Sequence, residues 1–477
     1  MTAAATEDYS NRDLSSGSLY KNLLRLSLPM AAQQALGILY NLVNAVWLGR
    51  WSREGLGAPG VASPIQWIVV SLAFGFGTAG TALVAQYVGA RRNRDADHVA
   101  GQTMMIMTAI AAVLTVPGVV FAPGILGLYR TPPEMMPDAV TYLRVVMIGL
   151  PFVAIVGAYG SVLRALGDTI TIVVIQVIGN VLNMALDPLL IFGWQRIGMP
   201  AMGVAGAALG TIISQGFCAF ACFHLMRTHR RGLRITKADL RPDWPMLRKI
   251  IAIGTPAALS NSSGALGFSL FQSIVNTLGT VVVDAYTVGF RILNVIQIVP
   301  QCLAMAAAPI VGQALGAGNR KLARRAIKVC TNIVALVTLP AAALLMWQGH
   351  SVARLFTPDT EVIRETGRFF LVVPISSYFF GLIMVLSAAF NGSGHNRPVL
   401  AVTILRLWLL RLPVGWLLVN RWHWGSYGVY WGMVAGNVIS AVILLQLFRQ
   451  GRWQQAVVLT REASLQEAAK EAGELAT

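Results

Sequence analysis

The 477-residue chain is 55% hydrophobic and only 12% charged, with a mean hydropathy of +0.62 and a formal net charge of +17. A water-soluble domain does not keep so apolar a composition in solution, so the sequence predicts a membrane protein. The four cysteines form no C-x-x-C motif, which argues against a zinc site and against a disulfide framework.

We interpret the chain as an all-α polytopic membrane protein. Its apolar runs, such as the stretch 174–192, are apolar on nearly all sides, unlike the alternating strands of a barrel. Because about 20 residues cross the hydrocarbon core, we predict twelve transmembrane helices. In chain order they cover 22–47, 61–88, 99–122, 139–160, 169–193, 202–226, 249–276, 282–312, 326–348, 367–390, 399–420 and 426–448.

The two halves of the chain repeat each other at a constant offset of 227 residues. The matched residues are Pro29 and Pro256, Ala58 and Ala285, Val84 and Val311, Gln86 and Gln313, Gly89 and Gly316, Ala90 and Ala317, and Gly167 and Gly394. This indicates a duplication. Six spans per half give both lobes the same direction in the membrane, so we predict a pseudo-two-fold axis along the membrane normal. The predicted lobes are residues 21–227 and 246–450, with an N-terminal tail (1–20), a linker (228–245) and a C-terminal tail (451–477).

The basic residues predict the orientation of the chain. With both termini in the cytoplasm, most of the 37 Lys and Arg residues fall in loops on the inner side, as the positive-inside rule requires. The largest groups lie at 91–94, 227–249 and 320–328. We therefore attribute the net charge to membrane topology and predict no nucleic-acid partner.

The repeat predicts a transporter in which one lobe rocks against the other, giving alternating access to a central cleft. The chain has no G-x-x-x-x-G-K-[ST] motif, so an ion gradient is the expected energy source. Gly75 to Gly80 matches G-x-G-x-x-G, but it lies inside a hydrophobic helix, where close helix packing explains it better than a nucleotide site. We predict neither enzymatic activity nor a cofactor.

Helix 5 carries the candidate coupling group. Gln176, Asn180, Asn183 and Asp187 follow at spacings of 4, 3 and 4, which places them on one face of the helix. An ionisable residue within a membrane is a functional candidate by default, so we expect this polar stripe to face a wet cavity. The alternative is a buried aspartate that only hydrogen-bonds a neighbouring helix.

The second half has no equivalent of this acidic stripe. Its polar residues are Ser262, Ser269, Ser273 and Asn276 in helix 7, and Asn294, Gln297 and Gln301 in helix 8. We predict a substrate path along Ser262, Ser269, Ser273, Asn276, Gln297 and Gln301, with interhelical hydrogen bonding as an equal alternative. Arg406 and Arg411 in helix 11 need partners or water, and the sequence identifies no counter-ion for either.

Five stretches carry a resemblance to a known family. They are LSLPMAAQQALGILYNLVNAVWLGR in helix 1, LVAQYVGARR closing helix 2, VLRALGDT before helix 5, NMALDPLLIF within it and GVAGAALGTIIS in helix 6. In this order and spacing they resemble the multidrug and toxic compound extrusion (MATE) family, in its prokaryotic DNA-damage-inducible-like branch. The similarity spans Ser18 to Arg452.

The resemblance implies two six-helix lobes around a V-shaped cleft. It also implies export of lipophilic, often cationic small molecules in exchange for protons or sodium ions. The family's ion-coupling group falls on Asp187, Asn183 and Thr211, to which we add Asn180 and, in helix 1, Asn44. Its helix 1 hinge falls on Pro29. Gln34, Tyr40 and Gln176 join the predicted substrate path. We expect a monomer in a bacterial inner membrane.

One departure from the family concerns helix 1. Relatives usually carry an aspartate fifteen residues after the hinge proline, where this chain has Asn44. We therefore expect fewer ions per cycle, a preference for protons over sodium and weaker binding of strongly cationic drugs. Two other functions stay open: a lipid-linked oligosaccharide flippase of the wider superfamily, and a non-transporting membrane scaffold.

Overall fold

A computed structural model describes residues 14, 17–129, 131–193, 198, 200–227, 235–236 and 238–458, apart from the side chains of residues 53, 54 and 56. Over these residues the secondary structure is helical, with no strand. The helices of the first half are α1 Leu19–Trp51, α2 Arg53–Gly89, α3 Asn93–Val120, α4 Ala122–Leu128, α5 Met136–Ile148, α6 Leu150–Ala165, α7 Ile170–Phe192 and α8 Gly203–Arg227.

The helices of the second half start at the end of the linker. They are α9 Trp244–Asn276, α10 Thr280–Gly316, α11 Arg320–Ala353, α12 Thr360–Val372, α13 Pro374–Ser393, α14 Arg397–Ile404, α15 Leu412–Asn420 and α16 Ser426–Arg449. A π-helical segment, Leu405–Arg411, joins α14 to α15, so that 397–420 forms one span. A short 3₁₀ turn, Arg452–Gln454, follows α16.

These helices confirm the prediction of twelve crossings. Among the described residues, nine helices are long and apolar enough to span a membrane, and α5 with α6 makes a tenth that bends by 47°. The other two crossings are α1 and α9, which are each 33 residues long and lie outside this set. The fourth crossing is therefore broken where we predicted one continuous helix. Pro151, in the first turn of α6, has no N–H to continue the α5 ladder.

The chain forms two compact units. The first contains Leu28–Val84 and Arg92–Ala258, and its core packs residues of α1 to α8 such as Leu48, Leu143 and Ile191. The second contains Leu14–Ser27, Ala85–Arg91 and the chain from Leu259 onward. Its two hydrophobic clusters are centred on the α10 and α13 contact and on the aromatic residues of α12 and α16.

Repeat-related residues contact each other reciprocally in the second unit. The end of α2 meets the end of α10, where a Cβ at Gly89 would overlap the Gln313 carbonyl and one at Gly316 would overlap the Gln86 carbonyl. The two glutamine side chains also act alike. The Gln313 Oε1 atom accepts from the Leu14 N–H at 2.8 Å, and the Gln86 Oε1 atom accepts from the Val458 N–H at 3.3 Å. The sequence repeat is therefore also a local structural symmetry.

Glycines in α2 explain the G-x-G-x-x-G match. A Cβ at Gly75 would overlap the backbone of Ala258, and one at Gly80 would overlap Thr103. Both positions lie inside a continuous helix, with no strand before them in the described chain. The motif serves close helix packing, as predicted.

Candidate functional site

The polar stripe of α7 becomes more buried from its first residue to its last. Gln176 and Asn180 are partly exposed, whereas 3% of Asn183 and 0% of Asp187 is exposed. Helix α8 covers the last turn, because Gly210 has no side chain there: a Cβ at this position would lie 2.8 Å from the Asp187 Oδ1 atom. We expected a wet cavity along the whole stripe. The structure instead encloses its acidic end in protein.

The Asp187 carboxyl group is buried without a hydrogen-bond partner in the described part of the chain. Neither of its oxygen atoms has a hydrogen-bond partner among the described residues, and no described arginine or lysine forms an ion pair with it. The alternative of an aspartate that simply hydrogen-bonds a neighbouring helix is thus not met. An ionised carboxylate is costly to bury without compensation, so this arrangement suits a neutral carboxyl or one that holds a cation.

Further oxygen and amide groups surround Asp187. The Asn183 Nδ2 atom donates to the Thr211 Oγ1 atom at 3.5 Å, and that hydroxyl donates to the Ala207 carbonyl at 3.1 Å. The Asn183 Oδ1 atom, one helical turn before the carboxylate, has no partner in the described part of the chain. α7 and α8 therefore bring together three of the predicted coupling residues. A fourth, Asn180, lies about one turn before Asn183 in α7 and is partly exposed.

Helix α1 and helix α5 contribute two tyrosines to the same unit. The Tyr40 hydroxyl accepts from the Asn44 Nδ2 atom at 3.3 Å, one helical turn along α1. Tyr142 of α5 is buried in one hydrophobic cluster with Ile191 of α7 and with Ala207 of α8, the two helices that enclose Asp187. Tyr142 was not predicted, since it lies in a different helix with no polar stripe of its own.

Gln33 is a second residue that sequence reasoning missed. Its Nε2 atom donates to the Gln176 Oε1 atom, linking α1 to the start of the α7 stripe. Helical spacing contained the signal, because Gln33, Gly37, Tyr40 and Asn44 follow at 4, 3 and 4. Gln34, the neighbouring residue in the predicted substrate path, is partly exposed, and its role stays a prediction. Pro29 lies inside the continuous helix α1, and its role as a hinge stays a prediction.

The predicted path in the second half is divided among several environments. Ser269 and Ser273 donate to carbonyls one turn back in α9, at 3.2 and 3.4 Å, and Asn276 accepts from Gln272 at 3.1 Å. The Gln297 Nε2 atom donates to the Ser377 carbonyl of α13 at 3.0 Å, which is the interhelical bond we gave as the alternative. Ser262 is buried and Gln301 is partly buried. A substrate path along these residues stays a prediction.

The groups around Asp187 define what the site can bind. One carboxylate, one free amide oxygen and nearby hydroxyls offer only oxygen ligands, which suit a proton or a hard cation such as sodium. No group of three or more His, Cys, Asp or Glu that would hold a transition metal occurs among the residues the structure describes. The chemistry available is reversible neutralisation of one acid inside a helical bundle.

Known proteins resemble the whole chain. The model of the MatE family matches residues 29–189 and 256–417, one segment in each half. A probable multidrug resistance protein NorM of Thermotoga maritima is 25% identical over 449 residues, covering 93% of this chain and 95% of that protein. A FAD transporter of Shewanella oneidensis is 25% identical over 411 residues, covering 84% and 88%.

Solved structures show the same fold. A MOP superfamily transporter from Pyrococcus furiosus, described as having a binding pocket of reverse polarity that suggests a different function, superposes with a TM-score of 0.84. It is 26% identical and covers 92% of this chain and 97% of its own. A crystal structure of MATE in the bent conformation gives the same TM-score and identity, covering 92% and 96%.

Proposed function

As the chain belongs to the MatE family of membrane transporters, we propose that it exports lipophilic small molecules by antiport against protons. The observation that carries the proposal is the Asp187 carboxyl, which is completely buried and has no hydrogen-bond partner in the described chain. At the centre of a membrane helix an ionised aspartate costs about 2.5 to 3.5 kcal/mol on insertion scales. Because of this cost, the protonation state of Asp187 and the packing of the helices around it depend on each other.

Protonation of Asp187 is the proposed switch. The enclosed arrangement of α7 and α8 suits the neutral acid, whereas the ionised acid requires water or a cation and therefore favours a more open arrangement. A proton that binds better to one conformation shifts the population towards it by its difference in affinity. Substrate affinity must differ between the same two states, since only this difference couples the two flows.

Protons are a better match than sodium for the ligands present. With Asn44 where relatives usually have an aspartate, helix α1 supplies no second carboxylate to share the charge of a metal cation. A proton needs one carboxylate, whereas a sodium ion requires several oxygen ligands. The relatives named as multidrug resistance proteins support a broad range of drug substrates.

The test is gradient-driven flux of a lipophilic cationic dye, ethidium, in proteoliposomes containing the full chain. We expect dye movement under an imposed pH gradient and little under a sodium gradient. In Asp187→Asn, pH-driven flux should fall by about tenfold or more, a usual size for coupling between sites. Asp284→Asn is the matched control, because this carboxylate lies exposed in α10 and should leave the flux unchanged.

Three outcomes would contradict the proposal. If Asp187→Asn moves the dye as fast as the parent protein, this acid does not couple the flows. If a folded protein moves no dye under either gradient and co-purifies with a polyprenyl lipid, the flippase alternative gains the support. Stable protein complexes with no gradient-dependent flux would favour a scaffold.

A further inference from the structure

Two arginines of the second unit form no ion pair with any carboxylate that the structure describes. Arg406 and Arg411 belong to the span 397–420, where they are about 14 and 21 Å from its start at 1.5 Å per residue. Both therefore lie in the middle part of this span, away from its two ends. Arg411 is 7% exposed, and the Nε atoms of both guanidinium groups are buried without a hydrogen-bond partner in the described chain.

The surroundings of these arginines are aromatic. The guanidinium carbon of Arg411 is 4.0 Å from the ring centroid of Phe271 and 5.9 Å from that of Phe268, and that of Arg406 is 5.0 Å from the Phe380 ring. The Arg411 Nη2 atom donates to the Tyr286 hydroxyl at 3.4 Å. Ring faces attract a cation but do not cancel its charge.

No described carboxylate of the second unit pairs with these arginines. Among the described residues of the unit, Glu365 is the buried acid, and it already pairs with Arg368 at 3.0 Å and accepts from Tyr430 at 3.0 Å. Neither Arg406 nor Arg411 forms an ion pair with a described acid. Both charges of the span are thus left without a carboxylate in the described chain.

The π-helical segment explains why these two residues lie near each other. In an α-helix, residues five apart point about 140° away from each other at 100° per residue. The π-helix forms i→i+5 bonds, which bring such residues one turn apart, and its turns occur frequently at functional sites. The segment Leu405–Arg411 begins just before the first arginine and ends at the second. Pro413 comes two residues after this segment. The wider π-helical turn makes room for the Pro413 ring, which in a regular α-helix would clash with the Leu409 carbonyl.

Helix α16 packs closely against this π-helical segment. Gly432 and Gly436 form a G-x-x-x-G pair, and a Cβ at Gly436 would lie 3.1 Å from the Arg406 carbonyl oxygen and 3.4 Å from the Arg411 Cβ atom. The backbone that carries both arginines is therefore closely packed rather than free to turn them towards the membrane surface.

We propose that Arg406 and Arg411, together with Tyr286, form a binding site for the oxyanion, carboxylate or phosphate, of an amphiphilic substrate. Guanidinium groups bind both oxyanions with paired N–H donors, and the unpartnered Nε atoms supply such donors. The partly exposed ring of Phe268 would contact the apolar body of the same molecule, whereas Phe271 is fully buried and packs against the Arg411 guanidinium from within the core. This inference rests on the proposed transport function. It adds anionic and zwitterionic compounds to the substrates of that function.

The test compares two fluorescent probes that differ in one charge: pyrenebutyrate and its methyl ester. The full chain is placed in nanodiscs of phosphatidylcholine, and binding is measured by energy transfer from tryptophan to pyrene, without any ion gradient. We expect the acid to bind at least about tenfold more tightly than the ester. Arg411→Gln and Arg406→Gln should each remove most of this preference while ester binding persists.

Controls separate a specific site from general effects. Arg421→Gln removes an exposed arginine just beyond the same span and should keep the preference. Unchanged ester binding and a monodisperse elution profile show that each variant is folded, and Arg406→Gln provides a less buried substitution than Arg411→Gln. Equal binding of acid and ester by the parent protein would overturn the proposal. So would a loss of preference in Arg421→Gln as large as that in Arg411→Gln.

Competition identifies the source of the oxyanion. Displacement of pyrenebutyrate by short-chain phosphatidylglycerol, but not by soluble benzoate or phenyl phosphate, would assign the site to a lipid headgroup. The reverse pattern would assign it to a soluble organic anion, and both patterns support the site. Asp187→Asn should retain the acid preference, so that a failure of proton coupling and a failure of this site give different results.

Discussion

Single residues decide how tightly the acid of α7 is enclosed. Gly210 matters as much as the polar groups, because its missing side chain leaves the space that the Asp187 Oδ1 atom occupies, with 2.8 Å to an added Cβ. Asn183 and Thr211 then complete the enclosure by hydrogen bonding across the two helices. The enclosure of the Asp187 carboxyl thus depends on the absence of a side chain at Gly210.

Substitution Gly210→Ala should lower pH-driven flux several-fold, because the methyl group competes with the carboxylate for space. Overpacking of this kind usually costs about 1 to 3 kcal/mol, against a gain of about 1 kcal/mol in helix propensity. Flux in proteoliposomes and thermal unfolding in detergent measure the two effects. Gly216→Ala, on the same helix with its nearest neighbour at 3.9 Å, is the control. Equal flux in the two variants would refute the packing argument.

Outside the membrane, a small polar cluster joins the linker to the start of helix α3. The linker residue Asp239 accepts from the Thr236 N–H at 2.8 Å and from the Thr236 hydroxyl at 2.6 Å, and it pairs with Arg94 at 2.9 Å. His98 of α3 contacts Asp239 at 3.3 Å and Asp243 at 2.9 Å. Burial alone would raise the pKa of Asp239, but the bonds from Thr236, Arg94 and His98 together lower it.

This pKa predicts an acid-sensitive linker. A carboxyl whose pKa is lower in the folded than in the unfolded state stabilises the fold above the unfolded value of about 3.9. The stabilisation is lost as the pH falls through the lower, folded value. Asp239→Asn should therefore lower the melting temperature at pH 7 and flatten its dependence on acid pH. Asp95→Asn, at an exposed pair with Arg92, is the control, and equal melting shifts would contradict the prediction.

At the scale of the whole molecule, the duplication appears as reciprocal packing of the ends of α2 and α10. Gly89 and Gly316 each allow a carbonyl of the other repeat to approach, so one pattern is used twice. Gln86 and Gln313 each hold a segment close to one end of the chain. A mutation at either glycine therefore disturbs a contact shared by both repeats.

Gly89→Ala and Gly316→Ala should each destabilise the protein by about 1 to 3 kcal/mol, since the added methyl group meets backbone that cannot move aside. Thermal unfolding of the purified protein measures the loss. Gly37→Ala in α1, where nothing lies within 4 Å of the added Cβ, should leave the melting temperature unchanged or raise it. Similar melting temperatures for all three variants would show that the reciprocal contact carries no stability.

Membrane orientation is a second property of the whole chain. The four native cysteines are buried, so an introduced thiol should dominate labelling by a membrane-impermeant maleimide. We expect Trp424→Cys, in the exposed loop before α16, to react from outside the cell, and Arg397→Cys to react only in inverted vesicles. The opposite pattern would reverse the predicted placement of both termini in the cytoplasm.

The amino-acid sequence by itself determined the membrane class, the twelve crossings, the duplication and the MATE family, and the comparisons confirm the family. These properties follow from hydropathy, periodicity and short motifs, which are local or repeat along the chain. Helical spacing also found Asp187 and its α7 neighbours, because residues on one helix face have fixed offsets.

Only the tertiary structure decided which other residues lie around them. Gly210, Tyr142 and Gln33 come from three further helices, and no spacing within α7 predicts such contacts. The same holds for Arg406 and Arg411, which an ordinary α-helix would point apart and a π-helical segment brings together. Contacts between helices depend on the packing of the folded chain, so they appear only when the helices are placed in space.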